Sequence, residues 1–321
     1  MARKVLLLSA GYGNRLWPLT AVRAKPAVPF LGIPLIRHLA TSLIRHGVDR
    51  IAVNLHHDPD SIRAALEGIP VKFSLEEDVL GTSGALHPLR EFFGGDPFWT
   101  VNAKIWTSMM PPGHHPLREK DVLMAIMTPG AHGDPYTRVV LSEDRKIFTG
   151  FQPPEYHDGS GYVFTGIQYV TPKIWDYMPS PGFSHFPEVY TRIWDNSMHT
   201  AAQILTEPWL EFSTIERYWM NNIEYGGASP EFWGNGVRVE QMDSVTDSVL
   251  WNNVTVEAGA RVHGSILADG VTIRRGRCVE GAAVVPLWAV ENDPRIEILD
   301  DNGLFYFDES DLRLSDRPER S

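Results

Sequence analysis

Short, uniformly apolar runs alternate with helix-spaced stretches over the first two-thirds of the chain. Residues 5–8, 51–55, 98–101, 122–127 and 164–170 have the length and composition of strands buried on both faces. Between the first two, residues 34–46 carry Leu35, Ile36, Leu39, Leu43 and Ile44 at three- and four-residue steps, and Gly47 follows as a stop. Alternating strand and helix predict an α/β domain, a mainly parallel sheet with helices on both faces. Ligands of such sheets sit beyond the carboxyl ends of the strands, so the loops after Leu8, Leu55 and Val101 are the ones to read.

After about Gly226 the pattern changes. Val254, Ala260 and Ile266 stand six residues apart, as do Val256 and Val262, and the step slips by one at Val271. With Gly259, Gly264, Gly270 and Gly276 at the turns, a six-residue apolar period predicts a short left-handed parallel β-helix of about two coils. An antiparallel meander is the alternative. So short a stack must pack on the first domain or on another subunit. The division is then 1–228 for the first domain, 229–290 for the coil and 291–321 for a tail, charged and mobile from Arg313 onward.

Composition narrows the function. Of 321 residues one is cysteine, Cys278, which excludes a disulfide framework and suits a reducing cytoplasm. The net charge of −11 argues against a nucleic-acid surface, and no apolar run is long enough to span a membrane. The N-terminal MARKVLLL has a basic start, but its apolar run passes at once into a glycine loop, so a first strand is expected there rather than a secretion signal.

That loop, Ser9-Ala10-Gly11-Tyr12-Gly13-Asn14-Arg15-Leu16, follows the first strand directly. Glycines let backbone N–H groups approach an anion, and a guanidinium can fork onto phosphate oxygens. Alone the motif is weak: Pro18 stands where a dinucleotide fingerprint needs its third glycine, no Walker lysine follows, and a plain tight turn explains it as well. The longer stretch LSAGYGNRLWPLTAVRAKPAVPFLGIPLI resembles the opening of the sugar-1-phosphate nucleotidyltransferases, or nucleotide-sugar pyrophosphorylases, whose loop reads Gly-x-Gly-Thr-Arg-Leu-x-Pro-Leu-Thr with Lys-Pro shortly after. Two further segments resemble that family, Leu80-Gly81-Thr82-Ser83-Gly84-Ala85-Leu86, its nucleobase loop, and Phe164-Thr165-Gly166-Ile167, its sugar-pocket segment. Hexapeptide coils also occur in several of its branches, including mannose-1-phosphate guanylyltransferases. The resemblance runs over residues 4–218 and the coils.

It implies a GT-A-like, Rossmann-like fold and a reaction in which a sugar 1-phosphate attacks a nucleoside triphosphate, releasing pyrophosphate and leaving an NDP-sugar. Such chemistry asks mainly for positive charge and alignment. By resemblance Arg15 and Lys25 are the catalytic phosphate ligands, although Lys25 also reads as an ordinary loop lysine. Ala10, Gly11, Gly13, Asn14, Gly81 and Thr82 hold the nucleotide, and Asn102 and Gly166 the sugar. Glu76 stands where uridylyl and thymidylyl members place a glutamine. A carboxylate there suits the N1–H and amino group of guanine, or is simply part of an acidic surface run.

The departures concern the metal and the grip on the sugar phosphate. The family's first Mg2+ aspartate corresponds to Lys104 in Thr100-Val101-Asn102-Ala103-Lys104. An ammonium cannot coordinate a cation, and at 4 Å and an effective dielectric near 20 it would repel Mg2+ by roughly 8 kcal/mol. Glu211 keeps a carboxylate at the second metal position, with Ser213 and Ile215 replacing glycine and proline. Phe151-Gln152-Pro153 lacks the lysine of the family's Glu-Lys-Pro. Two readings follow: a protein that binds a nucleoside triphosphate or NDP-sugar with weak or lost turnover, as a homo-oligomer or with a catalytic paralogue, or an active transferase whose Glu211 still recruits Mg2+. A third class, acyl transfer by His263 on the coil, needs more coils than are visible. His56-His57 with Asp58 and Asp60, and His114-His115, read as solvated turns. Trp99, Trp106, Trp175 and Trp194 read as core, and Trp17 as core or ligand flank.

Overall fold

The structure is a computed structural model that describes residues 3–108, 122–127, 136, 138–142, 148–152, 161–195, 200–206, 208–227, 229–290 and 293–307. The front domain runs β1 (Lys4–Leu8), the short hairpin β2 (Pro29–Phe30) and β3 (Ile33–Pro34), α1 (Leu35–Arg45), β4 (Arg50–Leu55), α2 (Pro59–Ala65) and β5 (Val71–Leu75). It continues with α3 (Gly81–Gly84), α4 (Arg90–Phe93), β6 (Phe98–Asn102), β7 (Ile105–Thr107), β8 (Val122–Met127), β9 (Arg138–Leu141), β10 (Phe148–Gln152), β11 (Tyr162–Val170), α5 (Phe186–Asp195), β12 (Thr200–Leu205), β13 (Trp209–Glu211) and α6 (Ile215–Gly226). All five expected strands and the first helix are present, each within two residues of its expected bounds.

The sheet is parallel through β5, β4, β1 and β6, after which β11 pairs antiparallel with β6, β8 and β9, and β12 joins β8 in parallel. Successive residues of β1 point to opposite faces. Val5 and Leu7 meet Ile36, Leu39 and Leu43 of α1 on one face, while Leu6 joins Phe98, Met124, Val189 and Ile193 on the other. Covering both faces is what makes these strands uniformly apolar. Gly47, at φ 81, ends α1, with its N–H donating to the Ile44 carbonyl and the Val48 N–H to that of Leu43.

The C-terminal part is a three-sided parallel coil. Its ladders join Arg238–Val239, Thr255–Val256 and Thr272–Ile273 on one side, Val245–Thr246, Arg261–His263 and Cys278–Glu280 on the second, and Val249–Leu250, Ile266–Leu267 and Ala282–Pro286 on the third. The parallel register overturns the meander reading, and three rungs are present on each side instead of about two. Arg238, Thr255 and Thr272 are in register 17 residues apart, one short of three hexapeptides, which is the slip seen before Val271. Val254, Val256, Ala260, Val262, Ile266 and Val271 are all buried, and Gly259, Gly264, Gly270 and Gly276 all have positive φ.

The expected tail is corrected in part. Glu297–Leu299 and Asn302–Tyr306 form a hairpin whose second strand pairs antiparallel with Ala282–Pro286, closing the coil. Leu304 is buried there and the Asn302 amide donates to the Thr272 carbonyl at 3.0 Å. The stretch from Arg313 lies outside the described residues.

The coil shares a core with the front domain. Fully buried Trp251 sits among Leu16, Leu19, Phe30, Phe212 and Tyr218, and donates its indole N–H to the Tyr218 hydroxyl at 2.8 Å, which in turn donates to the Pro29 carbonyl. Arg23 makes a two-pronged ion pair with Asp269 of the coil at 2.5 and 2.7 Å. Trp17 turns to the closing hairpin, edge-on to Phe305 and under the Arg295 guanidinium at 4.0 Å, so its place is this interface and not a ligand. Trp99 is buried. Trp106, Trp175 and Trp194 are partly buried against the cores.

Candidate functional site

The glycine loop leaves β1 at its carboxyl end. Ser9 is held by Asn54 of β4, whose side-chain oxygen accepts from the Ser9 N–H at 2.8 Å. Ala10 is buried, whereas Gly11, Asn14 and Arg15 are exposed. Gly13 adopts φ 72 and its carbonyl accepts from the Leu16 N–H at 2.8 Å, starting the turn Asn14–Leu16. A Cβ at Gly13 would stand 2.8 Å from the Thr20 methyl, so the position admits only glycine. At Gly11, by contrast, an added Cβ would meet nothing within 4 Å, which leaves open space over the loop. Arg15 is exposed but close enough to the cleft to lower the proton affinity of Lys25.

Beside the loop lies a group of cations around one buried carboxylate. β13 pairs antiparallel with β7, and the Phe212 N–H donates to the Lys104 carbonyl at 3.0 Å, which brings Lys104 to Glu211. The Lys104 ammonium lies 2.7 Å from one Glu211 oxygen. The other oxygen takes the Arg217 guanidinium at 3.2 Å and the Ser213 N–H at 3.1 Å. The Ser213 hydroxyl accepts from Lys104 at 3.0 Å and from Lys25 at 3.3 Å, and donates to Glu211. Burial alone would raise the Glu211 pKa, but Lys104, Lys25 and Arg217 outweigh it and hold the group ionised. Lys25 is pushed down to about 7, first by burial, then by the Lys104 charge, against the pull of Glu211.

That shift carries a stability consequence. Below pH 7 Lys25 is charged in both folded and unfolded chains. Between 7 and its ordinary 10.5 the unfolded chain binds more protons, so native stability rises with pH through that window. The stability advantage expected of Lys25→Met over the parent is therefore largest near pH 6 and shrinks by pH 10. Urea melts of both proteins across that range measure it, and a constant difference would contradict it.

The donor set does not fit Mg2+. A hard divalent cation needs several oxygen ligands, and here one carboxylate already has both oxygens engaged by cations and N–H or O–H donors. Among the described residues no three His, Cys, Asp or Glu side chains are grouped to hold a metal.

The other expected site residues divide. Asn102 and Gly166 are neighbours: Gly166 has φ 82, and a Cβ on it would stand 2.7 Å from the Asn102 amide. Glu76 is buried, with one oxygen accepting from the Asn54 amide at 2.8 Å and the other from the Leu80 N–H at 3.0 Å. Its burial overturns the reading as part of an acidic surface run, and its two oxygens tie the segment before Leu80 to the strand that holds Ser9. Gly81, at φ 77, packs against the Ser184 carbonyl, and Thr82 gives its N–H to His185 and accepts from the Phe186 N–H at 3.1 Å, so these two residues hold their loop to α5. Gln152 ends β10, while Pro153 and His114-His115 lie outside the described residues.

Sequence reasoning assigned no role to Arg217 or Tyr12. The only signal for Arg217 was its place in the first turn of α6, six residues beyond Glu211. Tyr12 is exposed beside His56, its hydroxyl 3.1 Å from the imidazole, with His57 packed alongside. Asp58 caps α2 and accepts from the Ala24 N–H at 3.0 Å, steadying the segment before Lys25, and Asp60 pairs with Arg63. His263 is exposed on the coil against the Thr246 hydroxyl. A depression of about 570 Å3, lined by Trp233, Val237, Arg238 and Met242 among others, shares no residue with the glycine loop.

The glycine loop thus lies beyond the carboxyl end of a largely parallel, Rossmann-like sheet, with Lys25, Lys104 and Arg217 gathered around Glu211 beside it. A family model described as Nucleotidyl transferase matches residues 4–221, and the chain belongs to that family. It is 26% identical over 238 residues to a UTP–glucose-1-phosphate uridylyltransferase of Synechocystis sp., a match covering 67% of this chain and 61% of that enzyme. It is 37% identical over 110 residues to a mannose-1-phosphate guanyltransferase of Aspergillus fumigatus, covering 32% and 30% of the two chains. The chain thus matches less than two-thirds of the length of these relatives. The structure of HddC from Yersinia pseudotuberculosis complexed with GMP-PN superposes with a TM-score of 0.58 at 19% identity, over 70% of this chain and 99% of that one. At that identity the likeness is one of fold.

Proposed function

We propose that this protein binds a nucleoside triphosphate or an NDP-sugar through the loop at Ala10, Gly11, Gly13, Asn14 and Arg15, with Lys25 on the phosphates and Asn102 and Gly166 at the sugar. Turnover is weakened or lost. The observation that carries the reading is the 2.7 Å pair between Lys104 and Glu211, an ammonium standing against the one carboxylate left for a metal. The coil, taken as left-handed from its hexapeptide spacing, serves as the docking surface of a homo-oligomer or of a catalytic paralogue in the cytoplasm. Among the described residues no helix is long and apolar enough to cross a membrane.

The second reading is an active NDP-sugar pyrophosphorylase, favoured by one feature: Glu211 and Lys25 survive together in the cleft. Mg2+ would then have to displace Lys104 from Glu211. Incubating the full chain with each nucleoside triphosphate, Mg2+ and a panel of sugar 1-phosphates separates the two. Thermal stabilisation by nucleotide without pyrophosphate release supports the binding protein, whereas release at about 1 per second or faster rejects it. Failure of every nucleotide and NDP-sugar to stabilise the chain would reject both.

A further inference from the structure

The cations beside the glycine loop outnumber the acid. Lys104, Lys25 and Arg217 act on a single carboxylate, Glu211, while Arg15 and Lys104 act on Lys25. The two Glu211 oxygens are not equivalent. One faces Lys104 and the Ser213 hydroxyl, the other Arg217 and the Ser213 N–H. The two basic partners also differ in freedom. The Lys104 side chain is 33% exposed, whereas Arg217 is 13% exposed and lies over the Tyr136 ring at 4.5 Å. An exposed ammonium on a flexible four-carbon stem can leave its partner for an arriving anion, while a stacked, enclosed guanidinium cannot.

Resting on the nucleotide-binding reading above, we propose that this site binds polyphosphate without a divalent cation, because Lys104 exchanges Glu211 for ligand phosphate oxygens while Arg217 stays behind and keeps Glu211 paired. Glu211 is then a resting counter-ion rather than a metal ligand. Ser213 is the pivot, since its hydroxyl bonds Lys104, Lys25 and Glu211 together. Arg217 is a positioning residue. Without it, departure of Lys104 would leave a buried carboxylate with no ionic partner except the half-neutral Lys25, and burying an unpaired charge is strongly unfavourable. No bond is made or broken in this exchange.

The test is titration calorimetry of the full chain with inorganic pyrophosphate, in EDTA and in 5 mM Mg2+ taken as roughly physiological excess. Binding in EDTA is expected to be at least as tight as with Mg2+. Lys104→Ala should weaken it about tenfold, the loss of one charge-assisted hydrogen-bonding group. Glu211→Gln gives the sharpest sign. It frees Lys104, so affinity in EDTA should rise several-fold, on the order of one lost competing ion pair. Were Glu211 a metal ligand, the same change would leave binding in EDTA unaltered and weaken binding in Mg2+. Arg217→Met should lower affinity in EDTA and Arg217→Lys should largely restore it, a rescue that mere loss of packing would not show. Circular dichroism melts confirm that each variant is folded. Pyrophosphate binding that requires Mg2+, no pyrophosphate binding in either buffer, or a Lys104→Ala protein that binds as tightly as the parent, overturns the inference. If nucleotides still stabilise the parent chain in any of those cases, the broader reading stands and only the metal-free exchange is wrong.

Discussion

Lys104→Asp is expected to make the chain's melting temperature rise with Mg2+, whereas that of the parent should not respond to the ion. The substitution changes the local charge by two units and places a second carboxylate beside Glu211, which Lys104 now touches at 2.7 Å. Without metal the variant should be less stable than the parent by about 1.5–3 kcal/mol, the usual value of a lost hydrogen bond to a charged group, since Arg217 still pairs Glu211. Saturating Mg2+, at about a hundred times its dissociation constant, should return about 2.7 kcal/mol, or on the order of 5–10 °C for a domain of this size. Melts of parent and variant in EDTA and in Mg2+ decide it. An identical Mg2+ response in the two proteins would mean that residue 104 does not control the metal. If pyrophosphate release appears in the variant together with the Mg2+ response, the parent's deficit lies in that one ligand.

Trp251→Ala should be the most damaging single change to the fold. The side chain is fully buried where the coil meets the front domain, its indole N–H is bonded to Tyr218, and the Arg23 guanidinium lies 5.5 Å from the ring. Truncating a core tryptophan costs about 3–5 kcal/mol in lost burial and residual cavity. The same core contains Leu16 and Leu19, at and just after the end of the glycine loop, so the nucleotide affinity proposed for that loop is expected to fall with stability. Urea unfolding followed by far-ultraviolet dichroism and by intrinsic fluorescence should give coincident, left-shifted curves. A loss below about 1 kcal/mol, or a coil that melts apart from the front domain, would show that the shared core is not what joins them.

Much of this was legible along the chain because it depends on local repetition. The uniform apolarity of β1, β4 and β6 follows from burial on two faces, the spacing of Leu35, Leu39 and Leu43 from one helix face, and the six-residue step of the coil from one inward residue per side. The glycine loop could be read as well, since Gly13 needs a positive φ whatever surrounds it. Other assignments failed where partners far apart in sequence decide. Of the two readings that the Glu76-Glu77-Asp78 run allows, a base contact or a surface acid, the second fails because Glu76 is buried against Asn54 of another strand. Trp17 neighbours the glycine loop in sequence, yet packs on Phe305 of the closing hairpin and under Arg295 just before it.

The amino-acid order by itself determined which family this chain joins and where its coil and five strands of its front domain lie. Only the folded chain decided what Lys104 touches. Its partner is 107 positions away on β13, while Lys104 itself lies in the turn between β6 and β7, and a third residue, Arg217, shares the same carboxylate from the start of a helix. Periodicity records how each segment faces the core. It carries no information about which charges two distant segments bring within 3 Å, because that depends on strand pairing, and here the antiparallel register of β13 with β7 sets it.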